Sequence, residues 1–279
     1  MIVVTVCSTK GGVGKTTLTA NLGGILTDCK LRVLLVDADI QPTLSSYYPL
    51  RKRGEAGLHR LVTEGSASAT ISQTNLSGLD IVLSDDPDGS LENWILHTPV
   101  GRVRMRQALR QLKHYDIVLI DTQGALGPLQ DAGVLAADIL LSPIPPEILS
   151  AREFARGTIG MIDRLRPMQY LLGASIGHLH GLIYRMDRTV DARRVAESLR
   201  KATFAEPLGG ISILDTIVPA TVAYREAATA RVPVHHLETQ RRGPTPCARE
   251  TMVGLVHELL PHVDITEPID TGLEEAHAS

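Results

Sequence analysis

Short apolar runs alternate with longer segments of helical period along most of the chain. The run IVVTV at residues 2 to 6 predicts a buried strand, because its residues are β-branched and continuously apolar. The segment that follows places Leu18, Leu22, Ile25 and Leu26 on one face at helical spacing. The beginning of the chain therefore predicts a strand, a loop and an amphipathic helix.

The same rhythm continues for about 260 residues. Strands are predicted at 31 to 39, 78 to 86, 115 to 124, 138 to 144, 176 to 184 and 211 to 218. Helices are predicted at 102 to 112, 129 to 137, 150 to 165, 190 to 202 and 247 to 260. Strands that alternate with helices imply right-handed crossovers. We therefore expect one α/β domain, in which helices flank both faces of a mostly parallel, twisted sheet.

Two regions depart from this rhythm. Residues 41 to 79 are rich in loop-forming residues, and PLRKRGEAG within them is expected to be exposed. After Arg249 the chain contains no lysine or arginine, and residues 263 to 279 have the acidic composition of disordered tails. The predicted organisation is one domain over residues 1 to 262 and an acidic tail over residues 263 to 279.

Composition excludes several classes of protein. The net charge of −3 argues against a protein that coats nucleic acid by bulk charge, so any DNA binding requires a local basic patch. The three cysteines form no C-x-x-C pair, which argues against a disulfide framework, a zinc site or an iron–sulfur cluster. Neither a signal peptide nor a membrane-spanning run is evident. We expect a cytoplasmic protein that does not bind membranes.

The first loop, KGGVGKTT at residues 10 to 17, is a phosphate-binding loop. Its glycines allow backbone N–H groups to turn towards a phosphate chain, and the following helix contributes its positive end. In such loops the lysine at position 15 reaches the β- and γ-phosphates, and the hydroxyl of Thr16 binds Mg²⁺. The position of the loop between a strand and a helix supports this interpretation and makes the domain a P-loop domain.

Carboxylates follow two of the predicted strands, at the sheet edge where ligands of parallel α/β proteins bind. Asp121 is placed to hold Mg²⁺ through water, and the N–H of Gly124 could sense a γ-phosphate. Asp37 and Asp39 could orient or deprotonate an attacking water. Asp37 or Asp39 alone could equally be a helix cap or a solvated strand end. A guanine-reading N-K-x-D motif is not found, which favours ATP.

These motifs resemble those of the ParA and MinD group of deviant Walker A ATPases, and within it the ParA-type partition ATPases. The segments that match, in order, are KGGVGKTT (10 to 17), DADIQ (37 to 41), IDTQGAL (120 to 126), GLIYRMDRT (181 to 189) and IVPATVAYREAATARVPV (217 to 234). The resemblance spans about residues 1 to 240. It implies an ATPase that requires Mg²⁺ and forms a homodimer around two ATP molecules.

The resemblance also implies roles for individual residues. Lys10 would reach the phosphates of the partner subunit, as an arginine finger does. Lys15 and Asp39 would complete the catalytic set. The implied cofactor-binding residues are Lys10, Gly11, Gly12, Val13, Gly14, Lys15, Thr16, Thr17, Gly124, Met186 and Pro219, of which the last two border the adenine. The implied metal-binding residues are Thr16, Asp121 through water, and Asp39.

Two segments depart from the pattern of the group. Gln123 replaces a common proline, which leaves the geometry around the γ-phosphate open. In DADIQP, Ile40 and Pro42 occupy the positions of a usual proline and glycine, which leaves the conformation of the loop around Gln41 open.

Two basic runs are candidates for DNA binding. Residues 185 to 201 contain six basic side chains, and the resemblance implies a non-specific DNA surface formed by Arg185, Arg188, Arg193 and Arg194. Residues 102 to 113 contain Arg102, Arg104, Arg106, Arg110 and Lys113 and no acid. Either run could instead be a solvated helix face.

The resemblance implies a partition ATPase that is reset by a ParB-like centromere-binding partner and is associated with the nucleoid. Two alternatives remain open. The cargo could be a protein assembly, such as a secretion, conjugation or chemosensory apparatus. The chain could also be a metabolic enzyme that uses ATP to activate a small carboxylate. His235 and His236 suggest a metal site, but we expect a structural role, because adjacent side chains usually point apart.

Overall fold

The most apolar runs of the sequence form the centre of one sheet. The computed structural model describes residues 1–67, 69–205 and 210–263. Within these residues the strands are β1 (Ile2–Val6), β2 (Val33–Ala38), β3 (Leu50–Lys52), β4 (Ile71–Thr74), β5 (Leu79–Val82), β6 (Ile117–Thr122), β7 (Ile139–Ile144), β8 (His178–Met186) and β9 (Ile211–Pro219). Their order is β3-β4-β5-β2-β6-β1-β7-β8-β9. The pairs β3–β4 and β4–β5 are antiparallel and the other neighbours are parallel.

Helices lie between most of the strands and also follow the last one. They are α1 (Lys15–Asp28), α2 (Leu58–Glu64), α3 (Ser90–His97), α4 (Gly101–Leu109), α5 (Pro128–Ala136), α6 (Ile148–Glu153), α7 (Ile159–Leu172), α8 (Val190–Ala205), α9 (Ala223–Ala230), α10 (Val234–Leu237) and α11 (Ala248–Leu259). A π-helical segment, Phe154–Thr158, joins α6 to α7. A 3-10 turn, Leu44–Ser46, follows β2.

Alternate residues of the central strands pack into different cores, one on each face of the sheet. Val4 of β1 packs with Leu22 of α1 and Met252 of α11. Val3 of the same strand packs with residues of α2, α3, α4 and α5, including Met105. Since a strand points successive side chains to opposite faces, an entirely apolar strand requires cover on both sides. The predicted fold class, an α/β domain with helices on both faces of a mostly parallel sheet, is confirmed.

The prediction of a loop-rich region between residues 41 and 79 is wrong in part. That region contains β3, α2 and β4, none longer than seven residues. Two of the three residues of β3, Arg51 and Lys52, are exposed and charged. This edge strand therefore has no apolar run, and exposed charge is a common protection of a sheet edge. The short helix α3 was also not predicted.

The basic run at 102 to 113 serves packing within the domain. Arg102 and Arg164 both pair with Asp131, whose side chain is 3% exposed. The other arginines of α4 and its end bond inside the chain as well: Arg104 to the carbonyls of Val62 and Thr63, Arg106 to those of Leu135 and Ala136, and Arg110 to Asp138. These contacts cap α2 and α5 and hold α4 against them.

Two further expectations concern the acidic tail and membrane-spanning helices. The acidic tail at 263 to 279 lies, apart from Val263, outside the described residues. Within the part of the chain that the structure describes, none of the helices is both long and apolar enough to cross a bilayer.

Candidate nucleotide site

The loop between β1 and α1 has the backbone of a phosphate-binding loop. Gly12 and Gly14 have φ angles of 71° and 101°, in the left-handed region that favours glycine. A Cβ at Gly14 would also collide with the ring of Tyr184, which is 1% exposed. Glycine is therefore required at position 14 both by its φ angle and by the tyrosine packed beneath the loop.

The loop after β6 lies directly against this phosphate loop. A Cβ added to Gly124 would lie 2.7 Å from the Cα of Gly11, so the two backbones are in contact. The sequence predicts that the Gly124 N–H lies near a γ-phosphate. The structure brings Gly124 to the phosphate loop, where such a contact is possible.

Lys15 lies inside the loop rather than on the surface. Its side chain is largely buried and its Nζ lies 3.5 Å from the carbonyl oxygen of Lys10. Burial lowers the pKa of Lys15, while the charges of Asp121 and Asp39 oppose that shift. The ammonium thus lies in the field of two carboxylates, in the position that a bound phosphate chain requires.

Asp121 and Thr16 together offer oxygen ligands for a cation beside the loop. The Thr16 hydroxyl donates to Asp121 Oδ2 over 2.6 Å, and Asp121 Oδ1 is buried without a protein hydrogen-bond partner among the described residues. Burial raises the pKa of Asp121 to about 8. A divalent cation would compensate this buried charge, and Mg²⁺ prefers carboxylate and hydroxyl oxygens. The residues present therefore fit Mg²⁺.

The two aspartates after β2 have different surroundings. Asp37 is fully buried, and its Oδ2 accepts bonds of 2.7 Å from both the N–H and the hydroxyl of Ser45. Burial raises the pKa of Asp37 to about 6. Asp39 is only half-buried, and its Oδ1 accepts the N–H of Gln41 over 2.9 Å. Asp39 is therefore the aspartate that a substrate can reach, whereas Asp37 supports the loop.

Lys10 points away from its own phosphate loop. Its Nζ donates to Ser150 Oγ over 2.8 Å and lies 3.6 Å from Glu147 Oε2. The preceding Thr9 donates to Glu153 Oε1 over 2.6 Å. Glu153 directly precedes the π-helical segment, and such segments often occur at functional sites. The start of α6 therefore holds the first lysine of the loop, and Lys15 alone faces the phosphate position.

Three large apolar side chains are exposed on the two segments next to Lys10. Leu126, Ile148 and Leu149 are exposed by 60%, 53% and 65%. Leu126 belongs to the loop after β6, and the other two begin α6. Exposed apolar groups grouped around a charged centre are typical of protein interfaces.

The two residues expected to border the adenine lie together. Met186 and Pro219 are paired between β8 and β9, and the N–H of Ala220 donates to the carbonyl of Met186 over 2.9 Å. Clefts of about 430 and 460 Å³ lie on the two sides of Pro219. Only the larger of these two is also lined by Thr17, so it is the cleft next to the phosphate loop.

The four arginines predicted to bind DNA do not form one group. Arg185, with a left-handed φ of 60°, donates to the carbonyl of Gly12 over 3.1 Å and lies 5.7 Å from the ring centre of Tyr184. Arg188, Arg193 and Arg194 are exposed on the turn after β8 and on α8. All four are exposed, and the structure separates Arg185, which contacts the phosphate loop, from the three that lie beyond β8.

Several residues of the site were not predicted from the sequence. The clearest are Ser150 and Glu147 beside Lys10, and Ser45 and Ser84 beside the aspartates. In addition, Gln123 donates to Glu92 Oε1 over 2.8 Å, so α3 holds the residue that replaces the usual proline. These contacts join residues 31 to 140 positions apart, except Ser45 with Asp37, and carry no local sequence signal.

His235 and His236 contradict the expectation that adjacent side chains point apart. Both Nε2 atoms bond to Asp28 Oδ2, over 2.7 and 2.6 Å. Adjacent residues of a helix differ by about 100° in direction, so both can turn to a group between them. These distances are those of hydrogen bonds, and His235 Nδ1 has no partner among the described residues, unlike the second nitrogen of most metal-bound histidines. We interpret the cluster as a clamp between α1 and α10.

Comparison with known proteins agrees with this geometry. A family model described as AAA domain matches residues 1–166. An uncharacterized protein of Mycobacterium tuberculosis is 34% identical over 245 residues, which cover 83% of this chain and 71% of the relative. The chromosome partitioning protein ParA of Caulobacter vibrioides is 29% identical over 237 residues, covering 83% and 85%.

Solved structures show the same fold. A complex of Cyanothece McdA with ATP superposes with a TM-score of 0.78 at 21% identity, over 96% of this chain and 99% of that one. The cobyrinic acid a,c-diamide synthase of Mycobacterium smegmatis, solved with an ATP analog and magnesium, gives a TM-score of 0.66 at 27% identity, over 88% and 99%. With its phosphate loop, its aspartates and these relatives, the chain belongs to the AAA domain family of the matching model and, within it, to the ParA- and MinD-type P-loop ATPases.

Proposed function

We propose that this chain is a partition ATPase that hydrolyses Mg²⁺·ATP in a dimer, binds DNA without sequence preference in that state, and is reset by hydrolysis. The observation that carries the proposal is the separation of the two lysines. Lys15 is buried beside Asp121, whereas Lys10 is held by Ser150 outside its own phosphate loop. A site that uses Lys10 on a phosphate is most simply completed by a second chain.

Within one subunit, the backbone N–H groups of residues 11 to 17 and the Lys15 ammonium bind the phosphate chain of ATP. Thr16 and Asp121 would hold Mg²⁺. When bound, Mg²⁺ neutralises charge on the β- and γ-phosphates. Pro219 borders the base in the cleft that Thr17 also lines, whereas Met186, paired with Pro219, lines the neighbouring cleft. Each of these contacts uses a residue at the carboxyl edge of the sheet.

Asp39 orients a water molecule for attack on the γ-phosphorus and accepts its proton. The water oxygen bonds to phosphorus, and the bond between phosphorus and the bridging oxygen of ADP breaks. Lys10 of a second chain stabilises the charge that develops on the transferred group, as a trans-acting arginine does. The exposed Leu126, Ile148 and Leu149 would be covered in this dimer.

The DNA surface of the proposal consists of Arg188, Arg193 and Arg194. Their guanidinium groups contact phosphates, so binding depends steeply on salt. Arg185 is assigned to the phosphate loop instead, because it donates to Gly12. A ParB-like partner stimulates hydrolysis, and DNA binding places the protein on the nucleoid, in the cytoplasm. The partitioning relative in Caulobacter supports this function over other cargo.

A second function is favoured by one finding, the 27% identity to a synthase solved with an ATP analog and magnesium. In that case ATP would activate a small carboxylate. Positioning of a protein assembly is a third possibility, with the same ATP chemistry. The experiments below distinguish these functions by what stimulates turnover.

The test is ATP turnover with and without non-specific duplex DNA and the product of the adjacent gene. The proposal expects slow turnover that DNA and a DNA-binding neighbour together increase, and an ATP-dependent dimer in light scattering. Lys10→Ala should abolish both responses and keep ATP binding, while Lys15→Ala should lose binding. Turnover that needs a small carboxylate and yields its amide would establish the synthase function instead. Stimulation by an apparatus component alone would establish the protein cargo.

A further inference from the structure

Asp39 lies beyond the end of β2, where its backbone carbonyl is no longer bonded to a neighbouring strand of the ladder with β5. The ladder between β2 and β5 ends with the pair Val36 and Val82. Beyond that pair, the hydroxyl of Ser84 donates to the carbonyl oxygen of Asp39 over 2.6 Å. A side chain two residues beyond β5 thus makes one further bond between the two segments, at the residue that carries the half-buried carboxylate.

The same serine also supports the neighbouring aspartate. The N–H of Ser84 donates to Ser45 Oγ over 3.0 Å. The hydroxyl and N–H of Ser45 in turn both donate to Asp37 Oδ2. Ser84, two residues beyond the end of β5, therefore contacts the supports of both aspartates at the end of β2.

We propose that Ser84 is a positioning residue for Asp39, an inference that rests on the proposed role of Asp39 in ATP hydrolysis. Ser84 fixes the backbone carbonyl of Asp39, and the N–H of Gln41 holds its carboxylate. The loop that follows Asp39 contains Ile40 and Pro42, and its residues 40 to 43 form neither helix nor strand. Fixing Asp39 from both ends sets where its free carboxylate edge meets the attacking water.

A side chain that only positions a catalytic group affects turnover more than substrate binding. Ser84→Ala removes the hydroxyl and keeps the N–H bond to Ser45. We expect kcat to fall about tenfold with the ATP dissociation constant unchanged, since one lost hydrogen bond of ordinary strength corresponds to roughly that factor. Ser84→Thr, which keeps a hydroxyl, should restore most of the rate.

The matched control is Ser46→Ala, whose exposed hydroxyl bonds to the carbonyl of Thr43 in the same segment. Its kcat should equal that of the wild type. A Ser84→Ala protein with unchanged kcat would overturn the inference. So would a parallel loss of ATP affinity, which would identify a general loosening of the site.

A second measurement separates this inference from the proposed function. Hydrogen exchange of the backbone amides at 39 to 46 is followed in the same variants, with ATP absent. Faster exchange in Ser84→Ala than in Ser46→Ala supports the anchoring of Asp39, and equal exchange refutes it. A wild-type protein without any ATP turnover would refute the proposed function, and the exchange result would still decide whether Ser84 anchors Asp39.

Discussion

The ammonium of Lys10 lies 2.8 Å from the hydroxyl of Ser150 in the same chain, across 140 positions of sequence. This bond and the ion pair with Glu147 at 3.6 Å hold the Lys10 side chain at the start of α6. Dimerisation in the proposed mechanism has to break the bond before Lys10 can reach a phosphate. Ser150 and Glu147 therefore set part of the free energy of dimer formation.

Ser150→Ala should make ATP-dependent dimerisation easier. The bond that is lost belongs to a partly exposed lysine, so its contribution is at the low end of about 0.5–1.5 kcal/mol. We expect the dimer to form at roughly two- to fivefold lower protein concentration in analytical ultracentrifugation with ATP. Ser46→Ala is the control. A weaker dimer in Ser150→Ala would mean that Ser150 stabilises the dimer and does not compete with it by binding Lys10 within one chain.

Lys15→Ala and Asp121→Asn should separate the binding of phosphate from the binding of magnesium. Loss of the Lys15 charge is expected to weaken ATP binding by about 100-fold with or without Mg²⁺, since the lysine contacts the phosphates directly. Asp121→Asn keeps the shape of the side chain and should remove the gain in affinity that Mg²⁺ gives. Calorimetric titration with ATP, in Mg²⁺ and in EDTA, measures both. Equal responses of the two variants would contradict the assignment.

Arg188→Glu should weaken DNA binding, and Arg53→Glu should not. Both residues are exposed arginines, and the two variants have the same net charge. With Arg188 in contact with a phosphate, we expect about a tenfold weaker affinity for duplex DNA at low salt, and a salt slope smaller by about one. Fluorescence anisotropy with ATP measures both quantities. The surface assignment fails if the two variants bind DNA equally.

The clamp of Asp28, His235 and His236 should make stability depend on pH. Burial lowers the pKa of His235 below its ordinary value of 6.5, so the unfolded chain takes up a proton at a higher pH than the folded one. Stability is then fully present above about pH 6.5 and is lost as the pH falls towards the folded pKa. Burial alone would raise the pKa of Asp28, but its bonds to the histidines lower it, and that contribution is lost only below its ordinary pKa of 3.8.

Urea unfolding at pH 7.5 and pH 5.5 tests this dependence. The wild type should lose stability at the lower pH, and His235→Leu should lose less, because it cannot take up the proton on unfolding. His97→Gln, a substitution of an exposed histidine, should behave as the wild type. An unchanged pH dependence in His235→Leu would show that His235 does not titrate on unfolding.

The sequence predicts the central strands and the phosphate loop because the residues that specify each of them are neighbours in the chain. Ile2–Val6 is a continuous apolar run, and the glycines that follow are required by the geometry of the loop itself. The edge strand Leu50–Lys52 has no such run, since its length and charge serve to protect an edge. The fold was thus predictable where a strand has an apolar run, including the edge strand β9, and was missed at the short, charged edge strand β3.

The motif residues of the site were predictable from the sequence, but the residues that hold them by hydrogen bonds were not. Asp39 and Lys10 belong to recognisable segments, whereas Ser84 and Ser150 are single serines whose role depends on a distant contact. The histidine pair shows the same limitation. Whether two adjacent side chains diverge depends on the helix that carries them and on Asp28, which is about 200 positions away.

Arg185 connects the phosphate loop to the basic surface through the backbone. It donates to the carbonyl of Gly12, the next residue pairs with Pro219 at the base cleft, and Arg188 lies two positions beyond that. Four consecutive residues thus connect the phosphate loop to the basic surface. Under the proposed function, a displacement of the loop on nucleotide binding moves the DNA-binding arginine directly through the backbone. The coupling between nucleotide and DNA then requires no relay through the core, and its stiffness depends on one hydrogen bond that Arg185→Ala removes.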